Sequence, residues 1–374
     1  MTLRLILQLL LLGSLMTVPA YGQEDPPPSV DIGDPAPPLR LRAWFKGTPI
    51  HQFEKGTIYV VEFWATWCSP CKASMPRLSD LARQYKDKIT FLSIDVYEKT
   101  TTPIEKIKHF VDSMGPRMDY AVAAEDSNFM VAEWLDSARE KGIPKSFVVD
   151  AEGRLAWIGH PSHLERVLPT IVNNRWDVQA AATQKKLQRH LEWEDLDQNF
   201  ELSKFRPSPD KPNDPGHPDS ILLAIGKIVE KEPGLKYAPH MAYNTFSALL
   251  KTDPHKAYAY GKEVLSTPFF GDTSFSSVID PIEYNATRVK IPAEIYRLAA
   301  EAIRMSIAQF PYPEIIDIPK QYHQMADYCW RAGDKSKAIE TEQKAIDILK
   351  ERKGHAAKDL AIYQARLQQY KNPQ

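Results

Sequence analysis

A run of β-branched and aromatic residues, Val60-Val61-Glu62-Phe63-Trp64, leads through Ala65-Thr66-Trp67 into Cys68-Ser69-Pro70-Cys71-Lys72. No other stretch constrains the chain so tightly. The apolar run reads as a buried strand, and the segment from Cys71 onward as a helix. Cys68 therefore falls at or beside a helix N-terminus, where unpaired backbone N–H groups and the helix dipole favour negative charge. A thiolate is such a charge, so Cys68 is expected to ionise more readily than a free cysteine. Cys71, one turn further on and more buried, is placed to close an intramolecular disulfide once Cys68 has attacked. The spacing predicts dithiol–disulfide chemistry.

The competing reading of two cysteines at this spacing is half of a zinc site, which needs four ligands. Of the three cysteines only Cys329 remains. Neither a second Cys-x-x-Cys nor a histidine pair at zinc-finger spacing follows. Redox chemistry is the stronger reading, and no metal or organic cofactor is implied.

These residues resemble the thioredoxin superfamily, with Trp67, Pro70, Lys72 and the helix residue Pro76 agreeing as well as the cysteines. Gly142-Ile143-Pro144-Lys145-Ser146-Phe147 resembles the superfamily's second landmark, a cis-proline opening the strand that faces the cysteine pair. The resemblance assigns Trp67, Ile143 and Pro144 to substrate binding, with the Ile143 backbone offering hydrogen bonds to an extended substrate. It assigns catalysis to Cys68, Cys71 and Glu62. Glu62 stands where the family has a buried acid beneath the disulfide, as proton acceptor for Cys71. Phe91 falls where the family's nearby lysine belongs, so Glu62 is expected to lack that cation and to have a raised pKa. The alternative is a strand-end glutamate turned to solvent. His160, in Gly159-His160-Pro161, either faces the active-site surface or merely starts a turn.

An extra strand and helix, expected over residues 119–139, exceed a minimal thioredoxin. With Gly33-Asp34-Pro35-Ala36-Pro37 they resemble the exported thiol–disulfide oxidoreductases of bacterial envelopes, the TlpA/ResA type. That resemblance covers roughly residues 30–176. It implies disulfide-containing exported proteins as substrates and a membrane thiol donor as electron source. The direction of electron flow stays open.

The N-terminus agrees with export. Arg4 precedes an apolar run, Leu5 to Val18, that ends in small residues near Gly22, a signal-peptide pattern over residues 1–22, with an uncleaved anchor as the alternative. Residues 23–38 are acidic and proline-rich and read as a tether. Strand and helix signals then alternate over residues 39–176. The expected helices include 71–88, 103–114, 127–139 and 164–172. With a net charge of −1, nothing favours nucleic acid as a partner.

Residues 177–218 read as a polar helical connector followed by the proline-rich linker Arg206 to Pro218. Residues 219–374 are helix-prone throughout. Gln321 to Leu349 resembles one tetratricopeptide repeat, with Glu342 where an aromatic is usual. Met241 to Leu265 resembles a degenerate second pair. The aromatic-rich loop from Pro268 to Pro281 is expected in the core rather than as a binding surface, and Cys329 as a buried inert thiol. The expected fold is an α/β thioredoxin-like domain followed by an all-α helical-hairpin domain that binds an unidentified protein. The rival function is a non-catalytic binding or chaperone scaffold, for which the cysteines are dispensable. Peroxidase chemistry ranks below both, because the Pro-x-x-x-Thr-x-x-Cys environment is missing.

Overall fold

The computed structural model describes residues 27–207, 210, 214, 216–309, 317–352 and 357–372. The expected signal peptide over residues 1–22, residues 23–26 of the expected tether and much of the proline-rich stretch 206–218 lie outside the described residues. Among the described residues no helix is long and apolar enough to cross a membrane.

The strands β1 (Leu41–Lys46), β2 (Ile58–Trp64), β3 (Ile89–Asp95), β4 (Ala121–Glu125), β5 (Lys145–Val149) and β6 (Leu155–Gly159) form one sheet in the order β1-β4-β3-β2-β5-β6. β2, β3 and β4 run parallel, while β1, β5 and β6 pair antiparallel to their neighbours. The parallel β2–β3 pair follows from the helix between them, α1 (Ser69–Gln84), since parallel neighbours need a crossover. Strand alternation assigns the two faces of β2. Val60 and Trp64 enter one core with α1, α2 (Ile104–Met114) and α3 (Leu164–Val172), and Glu62 shares their side of the strand. Tyr59, Val61 and Phe63 enter the opposite core.

That second core is closed by a π-helix, Val131–Asp136, where the sequence predicts an α-helix over 127–139. Its widened turns run from Ser137 N to the Ala132 carbonyl and from Glu140 N to the Leu135 carbonyl. The apolar positions Val131, Trp134, Leu135 and Ala138 still reach the core, so their pattern cannot distinguish the two helix types. Trp134 is fully buried with its ring 5.9 Å from Phe63 and 5.3 Å from Phe147. Trp134→Ala is expected to cost about 4 kcal/mol of stability, read as a lowered urea midpoint at unchanged m-value.

Beyond the sheet the described chain is helical. α4 (Val178–Glu201) starts at Asp177, whose carboxylate accepts from Ala180 N at 2.9 Å. Polar as its sequence is, it is packed at both ends. Ala181 packs into the core under the sheet, and Leu191 into a core with α5 (Pro218–Lys231) and α6 (Pro239–Thr252). Asp195, also on α4, accepts from the backbone N–H groups of His240 and Met241 at the start of α6.

α7 (Pro254–Ser266), α8 (Ser276–Asn285), α9 (Ala293–Gln309) and α10 (Ile318–Arg331) enclose a fourth core with α6. α10 and α11 (Lys335–Glu351) form a hairpin, followed by α12 (Ala357–Lys371). Buried Glu342 lies 2.7 Å from His323 Nδ1, and the His323 ring stacks on Tyr363 at 4.2 Å. A buried acid hydrogen-bonded to His323 thus occupies the position where the repeat pattern calls for an aromatic. Cys329 is buried as a free thiol, and burial raises its pKa. The 268–281 loop splits its roles. Phe275 is buried, while Gly271 and Asp272 meet Arg166 and His163 beside the sheet.

Candidate active site

β2 ends at Trp64 and α1 begins at Ser69, so Ala65 to Cys68 make the turn between them. Pro70 sits in the first helical turn, where its missing N–H costs nothing. Cys68 is the N-cap residue with extended backbone, and its Sγ accepts from Cys71 N at 3.2 Å. The two cysteines are joined as a disulfide. Cys71 is fully buried, and Cys68 is the more accessible of the pair at 3% exposure. An incoming group therefore meets Cys68 first.

The opposite wall is the start of β5. The Ile143–Pro144 bond is cis, and the Ile143 carbonyl oxygen lies 3.8 Å from Cys68 Sγ. Trp67 is 58% exposed beside the disulfide, its Nε1 donating to the Tyr97 carbonyl at 3.2 Å. The structure thus brings Trp67, Cys68, Cys71, Ile143 and Pro144 together at the surface where Trp67 is exposed, with Cys71 and Pro144 buried just beneath it.

Glu62 lies beneath that surface. It is 2% exposed and turned inward, packed among Leu78, Phe91, Ser93 and Tyr120. Phe91, on the neighbouring strand, packs there where a lysine would supply a counter-charge. Ser93 Oγ donates to Glu62 Oε2 at 2.5 Å, while Oε1 has no partner among the described residues. Burial pushes the Glu62 carboxyl up to about 8, against a smaller lowering by the Ser93 bond. The acid is protonated at neutral pH.

Sequence reasoning missed the other wall of the turn. Tyr97 has φ +56° and is partly exposed beside Trp67. Glu98 Oε1 accepts from Thr66 N at 2.8 Å and from Thr66 Oγ1 at 2.6 Å, tying the turn before Cys68 to the end of β3. Asp95, opposite Trp64 in the ladder, is buried, and burial with nearby Glu98 and Glu125 raises it to about 8. The available signal was topological, because sites in α/β sheets gather at the carboxyl ends of parallel strands. His160 caps a turn, with its Nδ1 accepting from Ser162 N, and burial lowers its pKa to about 4. It also lines a cleft of about 590 Å³ together with Lys145, the residue after Pro144.

The thioredoxin family profile matches residues 50–111, the span that contains the cysteine pair. FixW of Rhizobium leguminosarum is 32% identical over 155 residues, covering 40% of this chain and 69% of FixW. The thiol:disulfide interchange protein HelX of Rhodobacter capsulatus is 31% identical over 140 residues, covering 36% of this chain and 73% of HelX. The chain belongs to the thioredoxin-like thiol–disulfide oxidoreductases. The thiol–disulfide oxidoreductase ResA of Bacillus thuringiensis is 28% identical over 102 residues, 27% of this chain and 53% of ResA. In this oxidoreductase the likeness therefore covers less than half of the chain, and the helices beyond the sheet are described on their own terms.

Proposed function

We propose that the chain is an exported thiol–disulfide oxidoreductase of the bacterial cell envelope, reducing or exchanging disulfides of exported proteins through Cys68 and Cys71. One observation carries the reading: Cys68, at the N-cap of α1 and disulfide-bonded to Cys71, faces the Ile143 carbonyl across 3.8 Å. In the reducing direction the Cys68 thiolate attacks a substrate disulfide, forming a mixed disulfide and releasing one substrate thiolate. Cys71 then attacks Cys68 Sγ, closing the intramolecular bond and releasing the second. Two electrons pass from the dithiol to the substrate. Ile143 and Pro144 hold the substrate chain, Trp67 covers its apolar side, and Glu62 exchanges a proton with Cys71.

Residues 39–176 form the redox module in this reading. Residues 219–374, with their repeat-like hairpins, engage a partner protein, and 177–218 join the two. A membrane thiol donor reduces the resting disulfide. The names of HelX and ResA support the chemistry, and the apolar leader supports the location.

Equilibration of the purified chain with glutathione redox buffers, read by thiol trapping, tests the reading. A single two-electron couple is expected, near −270 mV for a reductant or nearer −120 mV for an oxidant. Absence of any couple would return the chain to the scaffold reading, with the cysteines dispensable for partner binding.

A further inference from the structure

The loop that carries Ile143 and Pro144 runs from Glu140 to Lys145, and its two ends are joined by an ion pair, Lys145 Nζ to Glu140 Oε2 at 2.6 Å. The Glu140 side chain is only 5% exposed. Its other oxygen, Oε1, meets Lys185 Nζ at 2.7 Å and Arg189 Nη2 at 3.5 Å. Lys185 is itself 5% exposed. Arg189 continues outward to Asp31, with contacts of 2.7 and 3.1 Å to its two oxygens. Ala181, Lys185 and Arg189 are spaced four apart on one face of α4, the face turned to the sheet.

A buried carboxylate held by three cations is costly to disturb, since removing one charge leaves the others desolvated without compensation. The network therefore fixes the separation between α4 and both ends of the loop. Burial alone would raise Glu140, yet the Lys185 and Lys145 charges hold it down at about 2, so the carboxylate stays ionised across the working pH range. On either side of α4 lies an open cleft, one of about 590 Å³ and one of about 560 Å³, and Lys145 lines both. Lys145 thus links the strand that follows Pro144 to both clefts beside α4, while Cys68 lines neither.

We propose that Lys185 is a positioning residue for the exchange reaction: through Glu140 and Lys145 it sets the loop bearing Ile143 and Pro144 against Cys68, making α4 part of the platform that receives a protein disulfide. The proposal rests on the reading of Cys68 as the exchanging cysteine. It assigns the segment after the sheet a role in handling polypeptide substrates that the cysteine motif alone does not.

The test compares Lys185→Met, Lys185→Arg and the unaltered chain on two oxidants: insulin, as a polypeptide disulfide, and glutathione disulfide. Lys185→Met is expected to lose about tenfold in kcat/KM toward insulin, carried mainly by KM, since a loop displaced by a fraction of an ångström misplaces an extended substrate. Exchange with glutathione disulfide stays within about twofold, because attack by Cys68 and resolution by Cys71 on so small a disulfide do not need an extended chain held on the loop. Lys185→Arg restores most of the insulin activity. If Lys185→Met fails to fold, Asp31→Asn at the outer end of the network is expected to give the same split at about threefold. Equal losses on both oxidants, or no loss on insulin, overturn the proposal. An unaltered chain that does not exchange with glutathione at all overturns the underlying assignment of Cys68 instead, a distinguishable result.

Discussion

Cys71→Ser traps its substrate: incubated reduced with insulin, the variant accumulates a mixed disulfide through Cys68 that dithiothreitol releases. The expectation follows from the two positions of the pair. Cys68 caps α1 and is the accessible sulfur, while Cys71 is sealed beneath it and reaches only Cys68. The first attack needs Cys68 alone, and resolution needs the neighbouring thiol. An intramolecular thiol acts at a very high effective concentration, so replacing it by external thiol slows resolution by at least about 10³-fold. Non-reducing electrophoresis with mass spectrometry of the adduct reads the result. Cys68→Ser should form no adduct, and an adduct through Cys71 in that variant would reverse the assigned roles.

Glu62→Gln should slow turnover by about 10²-fold, the usual weight of a positioned proton acceptor or donor. In the disulfide form the carboxyl is protonated, its pKa near 8 set by burial. When an external thiolate opens the disulfide at Cys68, Cys71 leaves as a buried thiolate, and Glu62 supplies the proton that neutralises it. In the opposite direction ionised Glu62 takes the Cys71 proton, so the resolving step should accelerate as pH rises toward 8. Glutamine, which neither gives nor takes that proton, should flatten the profile. Cys71→Ser trapping rates, which need no resolution, should be unchanged in the double variant, and a comparable loss there would sink the proton-transfer role.

The same carboxyl makes a stability prediction of definite sign. Its folded pKa of about 8 lies above the ordinary 4.5, so the folded state binds the extra proton between those values. The stability tied to Glu62 is present below pH 4.5 and lost as pH rises through 8, by on the order of 5 kcal/mol. Urea unfolding at pH 5 and pH 9 should show the loss in the unaltered chain and a smaller one in Glu62→Gln. The remainder is expected from Asp95, raised in the same direction.

What was legible in the sequence was local. The apolar run of β2, the cysteine pair running into Pro70, and the boundaries of α3 each depend on neighbouring residues and can be read from them. The missing cation beside Glu62 was legible by counting back from Asp95 to Phe91, whereas its inward turn rested on the family resemblance, because both faces of β2 are apolar. The antiparallel pairing of β1 with β4 had no local signal, because register between distant strands is set by the finished sheet. The π-helix escaped because its widened turns keep Val131, Trp134 and Leu135 on the core side. Tyr97 and Glu98, one with φ +56° and the other bonded to Thr66, read as ordinary loop residues until β2 and β3 lie side by side. Glu140 and Lys185, each charged and each on a polar stretch, give no sign that they are buried against one another.

Helix α4 belongs to two interiors at once, with Ala181 under the sheet and Leu191 among the later helices. Composition places a border near Arg175, yet a chain ended there would lose a floor rather than a neighbour. Ala181 would leave the lower core open, and Glu140 would keep Lys145 as its remaining cation. The sheet and the later helices therefore share α4 as a common wall, and a change on either of its faces is felt in the core it closes.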